Sequence, residues 1–156
     1  MRVLRRVKIP GMVIGFVAGL LVGGLAAVAS SPTGFIIVAA LGLGIPLAIF
    51  GIIYDALLDA GKLSFGYEAP SALYGILTFP IARLVQELLL TAIFGQGITL
   101  QQEANVLQFL VFQGIMGFGY GIGFLMIHNQ IIEMSAWRQY RKHVKEEQHQ
   151  AAEKQA

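Results

Sequence analysis

The chain has 156 residues, of which 56% are hydrophobic and 13% are charged, and its mean hydropathy is +0.68. Soluble domains carry about 25% charged residues, so this composition excludes an ordinary soluble domain and predicts a chain embedded in lipid. The net charge is only +2, and cysteine is absent, which excludes disulfides, thiolate metal sites and cysteine nucleophiles.

Two long uncharged runs, residues 11–29 and 35–54, predict the first two transmembrane helices, joined by a turn at 30–34. The first run follows basic residues and ends in Ala-Val-Ala, as secretory signals do. Its apolar length of about 19 residues exceeds the roughly 7–15 residues of a signal core, so we expect an uncleaved span. The polar residues of 55–69 then predict a connection outside the hydrocarbon.

The third predicted span, residues 70–94, contains Pro80, Arg83, Gln86 and Glu87 near its centre. About a dozen Leu, Ile, Val and Phe residues contribute roughly −0.3 to −0.6 kcal/mol each to insertion, and the two charges cost roughly 2.5 to 3.5 kcal/mol each. These sums nearly cancel. We therefore expect this segment to cross with help from neighbouring helices, or to be partly re-entrant.

A fourth apolar run, residues 106–127, completes an all-α membrane protein with four transmembrane helices. We expect a transmembrane domain over 1–132 and a charged, amphipathic helical tail over 133–156. Basic residues flank the first span and follow the last, whereas the connections 30–34 and 95–105 contain no Lys or Arg. The positive-inside rule then predicts that both termini are cytoplasmic, in a cell membrane or an organelle inner membrane.

The start of the tail predicts contact with the lipid interface, because aromatic and basic residues are enriched there. The residues concerned are Trp137, Arg138, Tyr140, Arg141 and Lys142. This membrane role for the basic residues makes nucleic-acid binding an unsupported alternative.

Glycines recur at helical spacing in the first and last spans. In the first span they occupy every fourth position, at Gly11, Gly15, Gly19 and Gly23. Residues four apart share a helix face, and small residues on one face let membrane helices approach closely. The pattern predicts a glycine zipper of the GxxxG type, whose partner is another helix of the chain, a second copy or another subunit.

The fourth span has two further glycine faces. Gly114, Gly117 and Gly121 share one, and Gly119 and Gly123 share the other. Close helix packing is the favoured interpretation of both. A phosphate-binding loop is excluded because it needs a preceding strand, while approach by a bound lipid, quinone or pigment remains an alternative.

Arg83, Gln86 and Glu87 form a polar site inside the membrane, where ionisable residues are costly and suggest a function. Three interpretations are open. The residues form an internal ion pair with a structural role, they contact a polar group of a partner subunit, or Glu87 couples to protons or ions in a water-filled path. We favour the first.

Other ionisable residues give weaker signals. His128 is expected at the membrane interface, and the remaining histidines, His143 and His149, lie in the tail, so one chain cannot form a bis-histidine haem site. Asp55 and Asp59 are four residues apart and could bind a cation, although acids in loops are common. No metal site or resident cofactor is predicted.

These observations favour a non-enzymatic protein. The sequence lacks a Ser/His/Asp set, an HExxH motif and paired acids within the spans. We expect a small accessory subunit that scaffolds or stabilises a larger membrane complex, such as a respiratory, photosynthetic or translocation assembly, with other membrane subunits and the bilayer as partners. The alternative is a homo-oligomeric channel or transporter that uses Glu87 and Arg83.

Overall fold

The structure is a computed structural model that describes residues 10–28, 32–63, 68–98 and 105–153. Side chains are described throughout these ranges except for Glu68 and most of the residues after Met134. The basic residues at positions 2–8 and residues 29–31 lie outside the described ranges, whereas Thr33 and Gly34, which were predicted to belong to the 30–34 turn, form the start of a helix.

Four helices make up the described chain: α1 (Pro10–Val28), α2 (Thr33–Asp59), α3 (Glu68–Phe94) and α4 (Val106–Glu153). All four are long and apolar enough to cross a membrane, and no strand occurs within the described ranges. The prediction of an all-helical, multi-pass membrane protein is confirmed.

Two antiparallel hairpins build the bundle. α1 packs along α2, and α3 packs along α4; α2 joins the hairpins through α3, and α1 meets α4 less extensively. We call the two ends of the bundle the Asp55 end, where α2 finishes, and the Gly95 end, where α3 finishes. Large apolar side chains are exposed on the outside of every helix, including Leu25, Ile37, Leu73 and Leu107. Such a surface matches a lipid solvent.

The element boundaries differ from those predicted by one or two residues at both ends of α1 and at the start of α2, and by more at the end of α2 and of α4. α2 continues past Tyr54 to Asp59, so Asp55 is a buried helical residue and not part of a polar connection. Burial of this carboxylate is possible because two groups donate hydrogen bonds to it. α3 begins at Glu68, two residues early, and α4 runs without interruption to Glu153, so no helix break separates the fourth span from the tail.

Candidate functional site

The Glu87 cluster consists of Arg83, Gln86 and Glu87, which lie on one face of α3 at helical spacing. All three are buried, and Gln86 and Glu87 have no exposed area. The Arg83 guanidinium donates one hydrogen bond to Gln86 Oε1 and another to Glu87 Oε1, the latter at 3.1 Å. The planar guanidinium therefore binds the side chains of Gln86 and Glu87, which lie one helical turn further along α3, at the same time.

This cluster is completed by backbone groups from elsewhere in the chain. Gln86 Nε2 donates to the carbonyl oxygen of Ala39 on α2, at 2.5 Å, and Ile98 N–H donates to Glu87 Oε2, at 2.8 Å. Each carboxylate oxygen of Glu87 therefore accepts a hydrogen bond. An ion pair satisfied in this way can be buried in an apolar bundle without a partner subunit or a water-filled path.

A second polar cluster, the Asp55 cluster, lies at the other end of the bundle. Asp55 Oδ2 accepts a hydrogen bond from Gly11 N–H at 3.1 Å, and His128 Nε2 donates to Asp55 Oδ1 at 2.7 Å. His128 is 1% exposed, so its side chain lies inside the bundle at the Asp55 end, and its position at the membrane interface stays a prediction. Gly11 lies in the first turn of α1, whose N–H groups lack partners within the helix. Asp55 supplies an acceptor for one of them, and His128 links the same carboxylate to α4.

Hydroxyl groups and aromatic rings surround the Asp55 cluster. Tyr54 and Ser71 share a hydrogen bond of 2.5 Å between α2 and α3, and the Tyr74 hydroxyl donates to the Phe50 carbonyl oxygen at 2.6 Å. The Tyr54 ring contacts Phe124 and His128 edge-on, with centroids 5.1 and 5.6 Å away. Tyr54, Ser71, Tyr74 and Phe124 also border a cavity of about 10 Å³, which is about the size of a single water.

An apolar layer separates the two clusters. On α2, the Glu87 cluster is bound at Ala39 and the Asp55 cluster is centred on Asp55. These two residues are sixteen positions apart, which corresponds to about 24 Å along a helix. Leu43 and Leu47 of α2 lie between them and pack against Phe79 and Ala82 of α3, and all four side chains are buried. The bundle thus has polar clusters near both ends and an apolar layer between α2 and α3 at its centre, and Thr78 and Gln113 are further buried polar side chains outside the two clusters.

The glycines of α1 face α2. A methyl group built on Gly11 would overlap the Gly51 carbonyl oxygen, and one on Gly15 would overlap that of Leu47. At Gly19 the methyl carbon would lie 2.5 Å from Gly44 Cα, and at Gly23 it would lie 2.5 Å from the Ala39 carbonyl oxygen. Backbone therefore meets backbone along the whole of α1.

The glycines of α4 divide differently from the predicted faces. Methyl groups on Gly117 and Gly121 would overlap the backbone of α3, at the carbonyl oxygens of Gly75 and Ser71. Gly114 has ordinary contacts with Ile76, the nearest at 3.8 Å, and Gly119 and Gly123 have no neighbouring atoms within 4 Å. The expected close packing on two sides of α4 is therefore present on one side only within the described structure.

The remaining candidate residues lie apart from these clusters. Asp59 is exposed, one turn beyond the buried Asp55, and no group of three or more His, Cys, Asp or Glu residues converges in the described parts of the chain. Trp137 and Arg141 are exposed on α4, whereas the side chains of Arg138, Tyr140 and Lys142 are outside the described set.

Two shallow grooves on the outside of the α3–α4 hairpin could hold a lipid chain or a flat cofactor. Their volumes are about 580 and 470 Å³, and both include Val111 and Ile115. Both grooves are open and mostly apolar, and the residues that line them carry no charge. The larger groove has no polar side chain that could orient a specific small molecule, whereas the smaller one includes Asn105 and Gln108.

Several residues of these sites were not identified from the sequence. The Asp55–His128 pair joins residues 73 positions apart, and the signal for it is an acid directly after an apolar run and one histidine at the end of another. Ser71 and Gly75, four residues apart in α3, form a small-residue pair that matches Gly117 and Gly121. Nothing local to Ile98 indicates that its N–H contacts Glu87.

We compared the chain with models of protein families, with curated proteins and with solved structures, and none of the three comparisons gave a match.

Proposed function

We propose that this chain is a small, non-catalytic integral membrane subunit that scaffolds or stabilises a larger membrane protein complex. The observation that supports this most is the internal completion of the Glu87 cluster, in which the charged groups of α3 bind to each other and to backbone of the same chain. A carboxylate that carries protons or ions needs contact with water. Glu87 is instead fully buried.

The shape of the helices also supports a packing role. The glycines of α1 are in close contact with α2 of the same chain, whereas Gly119 and Gly123 on α4 have no neighbouring atoms within 4 Å. Small residues on a helix surface permit close approach by another membrane helix. We therefore infer that other membrane subunits are the partners and that lipid covers the rest of the surface.

We infer the orientation from charge. Under the positive-inside rule the Asp55 end faces the cytoplasm, because the basic residues at positions 2–8 precede α1 and the basic tail follows the fourth span. Both termini are then cytoplasmic, the charged C-terminal part of α4 projects into the cytoplasm, and the membrane is a cell membrane or an organelle inner membrane.

A homo-oligomeric channel or transporter is the second candidate. The observation in its favour is the presence of polar clusters near both ends of one bundle, about 24 Å apart. The buried apolar layer of Leu43, Leu47, Phe79 and Ala82 between them opposes a continuous polar path through a single chain. A conducting path in this class of protein would have to lie between copies.

Native mass spectrometry of the tagged chain, extracted in mild detergent from its own membrane, tests the proposal. We expect different, larger subunits in fixed stoichiometry. A ladder of identical copies without other subunits would contradict the accessory role and support the channel.

The variant Glu87→Gln provides a second test. In an accessory subunit it should lower the amount of assembled complex while activity per assembled complex is retained. Normal assembly with abolished ion flux would support transport instead. Glu133→Gln is the matched control, because Glu133 is exposed on α4 and the same change of charge there should alter neither quantity.

A further inference from the structure

Residues 95–98, which we call the strap, fold back over the end of α3. The reversal takes place at Gly95, whose φ of +73° lies in the left-handed region that glycine favours. Gln96 is exposed, whereas Ile98 is partly buried against Phe35, Ala39 and Leu90. The strap is thus packed onto the bundle at the Gly95 end.

The strap is held by the Glu87 carboxylate. Ile98 N–H donates to Oε2 at 2.8 Å, while Oε1 accepts from Arg83 at 3.1 Å. A methyl group on Gly97 would overlap Oε2, so the strap backbone passes directly against the carboxylate. Glu87 therefore serves two purposes, since one oxygen binds the buried guanidinium and the other binds the strap through a charge-assisted hydrogen bond.

Beneath the strap lies the rest of the Glu87 cluster. Arg83 and Gln86 are buried on the next turn of α3 towards the bundle centre. On that side the apolar layer that includes Leu43 and Phe79 closes the cluster off from the Asp55 end. The Gly95 end is therefore the direction from which water would reach the cluster, and the strap lies across it.

We propose that the strap is a cover latched by Glu87, and that release of Ile98 from the carboxylate opens the Arg83–Gln86–Glu87 cluster to water at the Gly95 end. This inference goes beyond the proposed function: the closed cover keeps Glu87 out of contact with water, as in a packing subunit, and only the opened cover gives the carboxylate the contact with water that transport requires. It assigns Glu87 a role in closing the bundle in addition to its role as the counter-ion of Arg83.

Cysteine labelling can test the latch because the natural chain contains no cysteine. Ile98→Cys reports on the strap and retains the N–H that binds Glu87. We would measure the rate of its reaction with a water-soluble maleimide in protein held in lipid nanodiscs, in three backgrounds: otherwise natural, Glu87→Gln and Gly97→Ala. Gln96→Cys is the reporter control because it is already exposed, and Gly119→Ala is the background control because a methyl group there has no neighbouring atoms.

We expect Ile98→Cys to react slowly in the natural background and about tenfold faster with either Glu87→Gln or Gly97→Ala. Glu87→Gln replaces the charged acceptor of the Ile98 N–H bond by a neutral amide, and Gly97→Ala places a methyl group against Glu87 Oε2, which separates the carboxylate from the strap. Gly97→Ala keeps the Arg83–Glu87 charges and so separates the latch from the ion pair. Gln96→Cys should react at one rate in every background, and Gly119→Ala should change neither reporter.

Unchanged reactivity of Ile98→Cys in both backgrounds would overturn the proposal. Acceleration with Glu87→Gln alone would also overturn it, because it would indicate general loosening after loss of the ion pair. If Gly97→Ala alone increased the reaction rate of Ile98→Cys, the strap would move without being held by Glu87, and the proposal that Glu87 is the latch would be overturned.

Discussion

The Arg83–Glu87 pair shows how a buried charge depends on its surroundings at the scale of single residues. Removing two ions from water costs several kcal/mol per ion, and their attraction offsets this only when the remaining hydrogen-bonding positions are filled. Here the carboxylate binds Arg83 and Ile98 N–H, and Gln86 ties the guanidinium to the Ala39 carbonyl. Loss of one charged member should therefore cost more than loss of both.

We predict that Arg83→Gln destabilises the protein by about 3–5 kcal/mol, because it leaves Glu87 as a buried charge without its cation. The double variant Arg83→Gln/Glu87→Gln should recover much of this loss, because both buried charges are gone. Thermal unfolding in detergent, together with the yield of monodisperse protein, measures both effects. Arg141→Gln removes an exposed arginine and should be neutral; equal losses in the single and double variants would contradict the role of pairing.

Asp55 and Asp59 allow a comparison of two acids on one helix. Asp55 is 8% exposed and binds Gly11 N–H and His128, whereas Asp59 is exposed at the end of α2. We predict that Asp55→Asn lowers the free energy of unfolding by about 1.5–3 kcal/mol through loss of charge-assisted hydrogen bonds. Asp59→Asn should change it by less than about 0.5 kcal/mol. Similar effects of the two variants in chemical unfolding would be inconsistent with a buried Asp55–His128 bond.

Close backbone contact determines how the helices associate. Lipid tails are as apolar as leucine side chains, so membrane helices gain little from hiding apolar groups and depend on packing and hydrogen bonds. In α1, the glycines bring the backbone against that of α2 from Gly11 to Gly23. The α3–α4 pair repeats this arrangement at Gly75, Gly117 and Gly121. Each hairpin is thus a unit of closely packed backbone.

We predict opposite outcomes for two Gly→Ala substitutions. In Gly15→Ala the new methyl group overlaps the Leu47 carbonyl oxygen, a backbone atom, so α1 and α2 must separate, at a cost of about 1–3 kcal/mol. In Gly119→Ala the methyl group meets no atom within 4 Å, and the higher helix propensity of alanine should leave stability equal or higher by up to about 1 kcal/mol. The melting temperatures of the two purified variants test this prediction. A lower melting temperature for Gly119→Ala would contradict the absence of neighbouring atoms at that face of α4.

The four helices could be predicted from the sequence, whereas most of the contacts between them could not. The four spans follow from apolar length alone, and the spacing of Arg83, Gln86 and Glu87 places them on one helix face. The end of α2 was misjudged because an acid was assumed to require water, and the partner that permits its burial, His128, is 73 positions away. The same holds for Ile98, whose contact with Glu87 depends on how the chain turns at Gly95.

At the scale of the whole molecule, the bundle has an apolar layer between two hydrogen-bonded ends. The Asp55 cluster joins α1, α2 and α4, and the adjacent Tyr54–Ser71 bond adds α3. The Glu87 cluster joins α3 to α2 and to the strap. Each cluster includes one bond between the hairpins, Asp55–His128 in the first and Gln86–Ala39 in the second, so both are completed only once the hairpins have come together. The clusters therefore specify how the hairpins align. Apolar contacts alone would specify this alignment only weakly, because lipid tails are as apolar as the helix surfaces.

This arrangement makes the two ends of the bundle face opposite sides of the membrane. Lys62, exposed after α2, marks the Asp55 end, and Gln96, exposed in the strap, marks the Gly95 end. We predict that in intact cells an impermeant maleimide modifies Gln96→Cys, whereas Lys62→Cys reacts only after the membrane is permeabilised, because the proposed orientation places the Asp55 end in the cytoplasm. The natural absence of cysteine removes background labelling. The reverse pattern would invert the orientation and keep four crossings, whereas labelling of both positions from one side would mean that α3 does not cross.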